Sequence, residues 1–211
     1  MEKSVQEKVH SFFQTFPKKA YKKNEIIIYA QDIPQSIFYL TKGVVKEYFL
    51  SQKGEEVVVN SFKPGAFFPM SFAINKVPTT FSFEAELAVE VYQAPADVVL
   101  DFVKKQPDVL YDLLRRVFLG TDGLLLRMAY LMAGNAKQRL ITELLIYAKR
   151  FGRKSNAKIE IVISEKDLAS QAGLTRETIS RELKQLKERG LAEFSQGIIT
   201  IPDLTKLEAA L

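Results

Sequence analysis

Two short helices joined by a tight turn are predicted by the stretch Ser164-Glu-Lys-Asp-Leu-Ala-Ser-Gln-Ala-Gly-Leu-Thr-Arg-Glu-Thr-Ile-Ser-Arg-Glu-Leu-Lys-Gln-Leu186. Ser164 is a natural N-cap, and Asp167 three residues later forms a variant of the capping box. Gly173 supplies the turn, because a residue that tolerates positive φ is needed there. Thr175 caps the second helix. The inner faces then carry apolar side chains at helical spacing: Leu168, Ala169, Ala172, Ile179, Leu183 and Leu186.

The outer face of the second helix carries polar and charged side chains that suit DNA. A helix-turn-helix reads DNA by placing the N-terminal half of its second helix in the major groove. Arginine pairs with guanine edges there, and glutamate accepts from cytosine N4. A solvated polar face is the plain alternative, but the small inner residues, the central glycine and the Arg-Glu-Thr start favour DNA reading. The predicted DNA-binding residues are Thr175, Arg176, Glu177, Thr178, Ser180, Arg181 and Lys184.

The sequence after this hairpin is typical of a winged helix. Gly190 ends the second helix as a C′ residue. Leu191–Phe194 and Gly197–Ile201 read as two short strands around a turn. Lys158–Ile163, before the first helix, is a strand that can pair with them, and residues 203–211 read as a short terminal helix.

Composition and charge narrow the class of protein. The 211 residues, 47% of them hydrophobic, are enough for two domains with cores of their own. The absence of cysteine excludes disulfides and cysteine-ligated clusters, and we expect a cytoplasmic protein with no membrane span and no signal peptide. Residues 135–211 hold 14 Lys and Arg against 10 Asp and Glu, a net +4 of the chain's +5. The positive charge therefore lies on the half that is predicted to meet phosphate.

The N-terminal half has the two-residue period of β-strands between Tyr21 and Gln93. Phe83–Tyr92 alternates apolar residues with Glu84, Glu86 and Glu90, which predicts one strand with a wet face. The other expected strands, punctuated by glycine and proline turns, are Glu25–Tyr29, Ile37–Leu40, Val44–Leu50 and Glu56–Phe62. Many short strands at regular spacing predict a sandwich or roll.

After Pro107 the period becomes helical and remains so to about Ala133, which predicts one long helix. Its apolar residues form a heptad seam of about three repeats, which favours a two-stranded homodimer. The alternative is a helix that covers the core of its own domain. The predicted dimer interface comprises Leu110, Leu114, Val117, Thr121, Leu124, Met128 and Leu131. We expect an α+β chain with an N-terminal roll over 1–106, a dimerisation helix over 107–134 and a winged helix over 135–211.

The order of a β-roll, a long helix and a winged helix resembles the Crp/Fnr superfamily of bacterial transcription regulators. The resemblance spans about residues 15 to 205 and is most specific over 168–184; Lys42-Gly43-Val44 and Lys63-Pro64-Gly65 match the family's roll. It implies a double-stranded β-helix (jelly-roll) domain, and a homodimer that binds palindromic double-stranded DNA and contacts RNA polymerase. It also implies base reading by Arg176, Glu177, Ser180 and Arg181, at a half-site similar to TGTGA or TTGAT.

The nucleotide pocket of that family is not matched. Its cyclic-nucleotide binders place Gly-Glu and later Arg-Ser where this chain has Pro69-Met70 and, near the second position, Thr79-Thr80. From Gly65 to Phe83 there is no carboxylate, and Lys76 is the only cation. Because a buried phosphate needs a matched cation or backbone donors, nucleotide sensing is not expected.

An aromatic lining takes the place of the nucleotide-binding residues. It is either a core that fills the old pocket or a pocket for an apolar or aromatic small-molecule effector. The candidate effector residues are Phe67, Phe68, Met70, Phe72, Phe81 and Phe83. We expect no metal and no cofactor; His10, the only histidine, is interpreted as a surface residue of an N-terminal helix rather than a haem ligand.

Two other classes of function compete with a transcription regulator. One is a ligand-binding or protein-interaction module whose helical hairpin does not read DNA. The other is an enzyme built on a cupin-like roll, which needs metal ligands or an acid/base pair inside the barrel. Because the strands of the roll have no histidine and their acidic residues lie mostly at alternating outward positions, no catalytic residue is predicted.

Overall fold

The computed structural model describes residues 3–52, 54, 56–155 and 158–211, and the chain forms two compact units, Met1–Val117 and Phe118–Leu211. The first unit contains α1 (Lys3–Phe13), β1 (Lys18–Tyr21), β2 (Ile26–Ile28), β3 (Ser36–Lys42), β4 (Val45–Leu50), β5 (Glu56–Phe62), β6 (Phe67–Phe68), α2 (Met70–Asn75), β7 (Ser82–Ala85), β8 (Val89–Pro95) and α3 (Ala96–Lys105). The single helix α4 (Pro107–Ala133) begins in this unit and ends in the second. The predicted long helix is confirmed.

The strands of the first unit form two antiparallel sheets in the orders β1-β8-β3-β6 and β2-β7-β4-β5. Strand β3 explains how the layers stack, because side chains of a strand alternate between its two faces. Phe38 and Leu40 pack with apolar residues of both sheets, whereas Ile37 and Tyr39 face α1 and α3 on the other side. The unit is therefore a two-sheet roll covered by helices.

The prediction of one strand over Phe83–Tyr92 is wrong. The segment forms β7 and β8, which belong to different sheets, and the chain turns the corner between them at Glu86–Ala88. Gly43, at φ +89, lies against this corner, and a Cβ there would be 2.4 Å from the carbonyl oxygen of Ala88. Glu84 does not face water: it is 7% exposed and its Oε1 lies 3.1 Å from Lys46 Nζ. The half-buried Lys46 ammonium thus lets Glu84 be buried, although simple alternation places Glu84 on the wet face.

His10 is half-buried, so it is less exposed than its interpretation as a surface residue implies. Its ring lies against Tyr39 and Tyr92, at centroid distances of 5.9 and 6.2 Å, and its Nε2 is hydrogen-bonded to Gln14. The helix α1 packs on the roll through Val5, Val9 and Phe13, and this packing turns His10 toward the tyrosines. Sequence reasoning also missed the short helix α2 and the amphipathic helix α3.

The second unit continues from α4 with α5 (Ala136–Phe151), β9 (Arg153–Ser155), β10 (Lys158–Val162), α6 (Glu165–Ala172), α7 (Arg176–Glu188), β11 (Glu193–Ser195), β12 (Ile198–Ile201) and α8 (Leu204–Glu208). Its antiparallel sheet has the order β11-β12-β10-β9, so the expected pairing of the strand before the hairpin with the wing is confirmed. Helices α5, α6 and α7 pack on this sheet through one apolar core. This is a winged helix.

Candidate nucleic-acid interface

The hairpin of α6 and α7 is set by the capping and turn residues that the sequence predicted. Ser164 Oγ accepts from the Asp167 backbone N–H at 3.1 Å, and Thr175 Oγ1 accepts from the Thr178 N–H at 3.2 Å. Gly173 adopts the left-handed conformation, with φ 61 and ψ 40. These local interactions satisfy backbone donors that each helix start would otherwise leave free. They also fix where α7 begins, which determines which side chains lie in its first two turns.

One face of α7 is held by the core, so the opposite face is presented as a rigid surface. Ile179 is fully buried, Leu186 is 1% exposed, and both belong to the same apolar core as Ile199 and Ile201 of the wing strand. Burying an aliphatic side chain of this size contributes about 1.5–3 kcal/mol. The exposed face of α7 therefore belongs to a well-packed element, as precise recognition requires.

The predicted DNA-binding residues come together on this surface. Five of them line a shallow, open concavity of about 550 Å³, and Glu165 of α6 completes its wall. The five are Arg176, Glu177, Ser180, Arg181 and Lys184. Thr175 is exposed beside them at the helix start, whereas Thr178 is half-buried. Glu165 was missed because it reaches this surface from the preceding helix, a proximity that spacing along α7 cannot indicate.

The groups around Glu177 favour its ionised carboxylate, which can accept hydrogen bonds. Hydrogen bonds from its own backbone N–H and from the Thr175 hydroxyl, together with the charge of Arg176, lower the pKa of Glu177 below its ordinary value. The position in the first turn of α7 accounts for the backbone part, because free N–H groups point at that end. Glu177 is therefore an anion beside Arg176 and can accept a hydrogen bond from an amino group.

The Arg181 side chain is mostly exposed and is only weakly restrained by its neighbours. Its side chain is 64% exposed, and its Nη2 lies 3.4 Å from Oε1 of the buried Glu182. A contact of this length to so exposed a group restrains the side chain weakly. The guanidinium can therefore extend from the surface toward a partner.

The six candidate effector residues divide between two parts of the first unit. Phe68 and Phe83 are both 1% exposed and stack at 5.5 Å, and Phe62 stacks on Phe68 at 5.0 Å. Phe67 and Met70 belong to the other apolar cluster, against the helices. The half-buried Phe72 and Phe81 meet edge to face at 6.4 Å. The structure thus brings Phe68, Phe83 and Phe72 together, with Phe81 against Phe72, and places Phe67 and Met70 in the other cluster.

The candidate dimer residues are all exposed in the single chain. The exposed fractions are 45% for Leu110, 47% for Leu114, 53% for Val117, 53% for Leu124, 54% for Met128 and 37% for Leu131. Thr121 is exposed as well.

The described residues offer neither a metal site nor a membrane-spanning helix. Over the parts of the chain that the structure describes, there is no group of three or more His, Cys, Asp or Glu side chains that could hold a metal ion. Within the same ranges, no helix has both the length and the apolar character that crossing a membrane requires.

Comparisons with known proteins agree with this architecture. Residues 18–106 match the model of the cyclic nucleotide-binding domain, and residues 138–210 match that of the Crp-like helix-turn-helix domain. The anaerobic regulatory protein of Haemophilus influenzae is 27% identical over 90% of this chain and 74% of its own length. The global nitrogen regulator of a Nostoc species is 26% identical over 87% of this chain and 84% of its own length.

Solved structures show the same fold. A CooA variant from Carboxydothermus hydrogenoformans aligns with a TM-score of 0.77 and 20% identity, over 95% of this chain and 89% of that one. A Crp/Fnr-family transcriptional regulator from Thermus thermophilus aligns with a TM-score of 0.69 and 20% identity, over 92% and 97%. The Haemophilus influenzae and Nostoc relatives are both regulators. With its roll, long helix and Crp-like helix-turn-helix, the chain belongs to the Crp/Fnr superfamily of bacterial transcription regulators, and it is a regulator with a DNA-binding domain.

Proposed function

We propose that this chain acts as a homodimer that recognises a two-fold symmetric site in duplex DNA through the N-terminal half of α7. One observation carries the proposal: the predicted readers line a single exposed concavity at the start of a helix whose other face is locked into the core. In a helix-turn-helix these are the positions that enter the major groove.

The chemistry of the concavity suggests a role for each reader. Arg176 and Arg181 each present a planar fork that suits O6 and N7 of guanine. Glu177, held ionised, suits the N4 amino group of cytosine. The other four candidates suit base edges or the phosphate backbone, contacts that fix register: Thr175, Thr178, Ser180 and Lys184. The net positive charge of residues 135–211 adds sequence-independent attraction.

Dimerisation is supported by the exposed apolar row on α4. Six of its seven members are apolar, and none of the six is buried in the single chain. An exposed apolar row of this length is typical of a surface that another protein surface covers. A second copy supplies the same row by two-fold symmetry, in the packing typical of a heptad seam. Two recognition helices related in this way meet half-sites about one DNA turn apart.

For the roll, we infer that a cyclic nucleotide is not the effector. From Gly65 to Phe83 the chain offers no carboxylate for a ribose, and its single cation, Lys76, is exposed. Phe68 and Phe83 are stacked and each 1% exposed, so they pack as core and offer a polar nucleotide no site. Titration with cyclic AMP in a calorimeter is expected to give no binding heat, and saturable micromolar binding would overturn this inference. We also propose that the regulator acts on RNA polymerase, in the cytoplasm.

Selection from a random duplex library tests the proposed function. We expect enrichment of one motif made of two inverted half-sites whose centres lie about 10 base pairs apart. Arg181→Ala, selected in parallel, should enrich a motif with reduced preference at one position of each half-site. If the parent enriches no motif, the alternative of a protein-interaction module is favoured and the proposal fails.

A further inference from the structure

A buried ion pair joins the C-terminal part of α4 to α5 inside the second unit. Arg127 Nε lies 2.6 Å from Glu143 Oε1, and Arg127 Nη2 lies 2.7 Å from Oε2, so both carboxylate oxygens are engaged. The side chains are only 14% and 2% exposed. The two-point geometry fixes the direction of the guanidinium as well as its distance.

The Arg127 guanidinium also forms a hydrogen bond with the helix-turn-helix. Arg127 Nη2 also donates to Gln171 Oε1 at 3.2 Å, and Gln171 lies in α6. The amide nitrogen of Gln171 in turn donates to the Tyr147 hydroxyl on α5. One arginine of α4 is thus connected to both α5 and α6. Since α6 packs directly on α7, this network fixes the recognition helix relative to residues 118–133 of α4.

The corner between α4 and α5 is fixed by separate contacts. Arg139 donates to the carbonyl oxygens of Leu131 at 2.9 Å and of Gly134 at 3.2 Å. A Cβ at Gly134 would be 2.6 Å from the carbonyl oxygen of Tyr130, so the turn is tightly closed. Asn135 then starts α5 with a reciprocal capping box. The end of α4 therefore belongs to the same packed body as the helix-turn-helix.

Stability alone does not account for the Arg127–Glu143 pair. Removing two charges from water costs several kcal/mol for each ion, and apolar pairs of similar volume are often as stable or more stable. What an apolar pair lacks is direction, because Met and Leu can pack in several rotamers whereas a guanidinium fork has one productive alignment. The pair is better explained as a device for orientation.

We propose that Arg127 is a positioning residue that sets which half-site spacing the dimer accepts. The proposal rests on the proposed function, since spacing has meaning only for two recognition helices that bind one duplex. If α4 carries the seam, the angle between α4 and α7 in each copy determines the separation of the two α7 helices. Each base pair added to or removed from the spacing rotates one half-site by about 35° around the DNA axis. A fixed angle between α4 and α7 should therefore give a dimer that binds well at only one half-site spacing.

The test compares the affinity of dimers for duplexes whose two half-sites are moved apart or together in single base-pair steps. For the parent we expect a single best spacing, with affinity about tenfold lower one base pair away, equivalent to about 1.4 kcal/mol. The variant Arg127→Met with Glu143→Leu should fold and bind a lone half-site as the parent does. For this variant, the loss of affinity at a spacing one base pair from the best one should fall to about threefold or less.

Two further variants keep the test specific. Lys149→Met with Glu208→Leu removes another ion pair of the same unit, at 3.2 Å and more than half exposed, which joins α5 to α8. It should leave the spacing profile unchanged. Arg127→Lys keeps the charge but loses the fork, and should widen the profile to an intermediate degree even if the double variant does not fold.

The outcomes separate this inference from the proposed function. If Arg127→Lys, and the double variant where it folds, keep the narrow parental profile, Arg127 has no role in spacing and the inference is overturned. Equal broadening in the Lys149 and Glu208 control also overturns it, because the effect is then one of general loosening. If the parent itself shows no spacing preference, the proposal of paired reading fails, and the positioning role fails with it.

Discussion

Replacing Arg181 with alanine should weaken DNA binding and relax base preference while leaving the fold intact. The side chain is 64% exposed and touches Glu182 only at 3.4 Å, so its loss should lower the free energy of unfolding by no more than about 1 kcal/mol. A bidentate contact to a base is worth about 1–3 kcal/mol. The expected loss of affinity is therefore about 5- to 150-fold for each half-site, and at least about 25-fold for a dimer that loses the contact at both half-sites of the operator.

The assay is fluorescence anisotropy at one fixed salt concentration, because affinity for DNA falls steeply with salt. The selected operator is compared with duplexes that carry each single base-pair change. Arg181→Ala should bind several of these duplexes equally at one position of each half-site, where the parent discriminates. Arg189→Ala is the matched control: it removes the same charge from the exposed C-cap of α7, beyond the predicted readers.

The control should preserve base preference even if its affinity falls slightly for all sequences. The assignment of Arg181 as a base reader is refuted if Arg181→Ala binds the operator as tightly as the parent and keeps full discrimination. It is also refuted if Arg189→Ala relaxes preference at the same position to the same degree.

Three further predictions concern the dimer, the helix cap and pH. Leu124→Asp should raise the dimer dissociation constant by at least about tenfold, because it buries a charge in an apolar seam; sedimentation velocity measures this, and an unchanged dimer places the seam elsewhere. Thr175→Ala should lower the free energy of unfolding in urea by about 0.5–2 kcal/mol, whereas Thr175→Ser, which keeps the hydroxyl, should change it little; equal losses in both variants would argue against the cap. Burial raises the pKa of Glu143 above its ordinary 4.5, against the opposing effect of Arg127. A raised pKa in the folded state contributes stability below about pH 4.5 that is lost as pH rises through the folded value. Urea unfolding over a pH series should therefore show this decline in the parent and a flatter profile in Glu143→Gln, and identical profiles would contradict the assigned direction.

The helical hairpin was predictable because its determinants are local. Each cap bonds to a backbone group three residues away, and the turn needs only one glycine with positive φ. The face that α7 buries follows from helical spacing alone. The full range of α4 was also predictable from local residues. Pro107 starts the helix, and Gly134 with Asn135 ends it.

The features that were mispredicted or missed depend on contacts between distant residues. Glu84 was expected to face water, but Lys46 from another strand makes its burial possible. The corner between β7 and β8 depends on the close approach of Gly43, about 45 positions earlier. The Arg127–Glu143–Gln171 network joins three helices, and no spacing rule distinguishes Arg127 from Arg115 and Arg116 on the same helix. Charges that meet across a fold leave no periodic trace in a sequence.

The number of chains that bind one operator duplex tests the central claim most directly. Native mass spectrometry is applied to the parent with the selected duplex, and with a duplex in which one half-site is scrambled. Paired reading predicts two chains on the selected duplex, and a loss of at least about tenfold in affinity when one half-site is scrambled. One chain per duplex, or equal affinity for both duplexes, would contradict the account that two copies of α7 read a two-fold site.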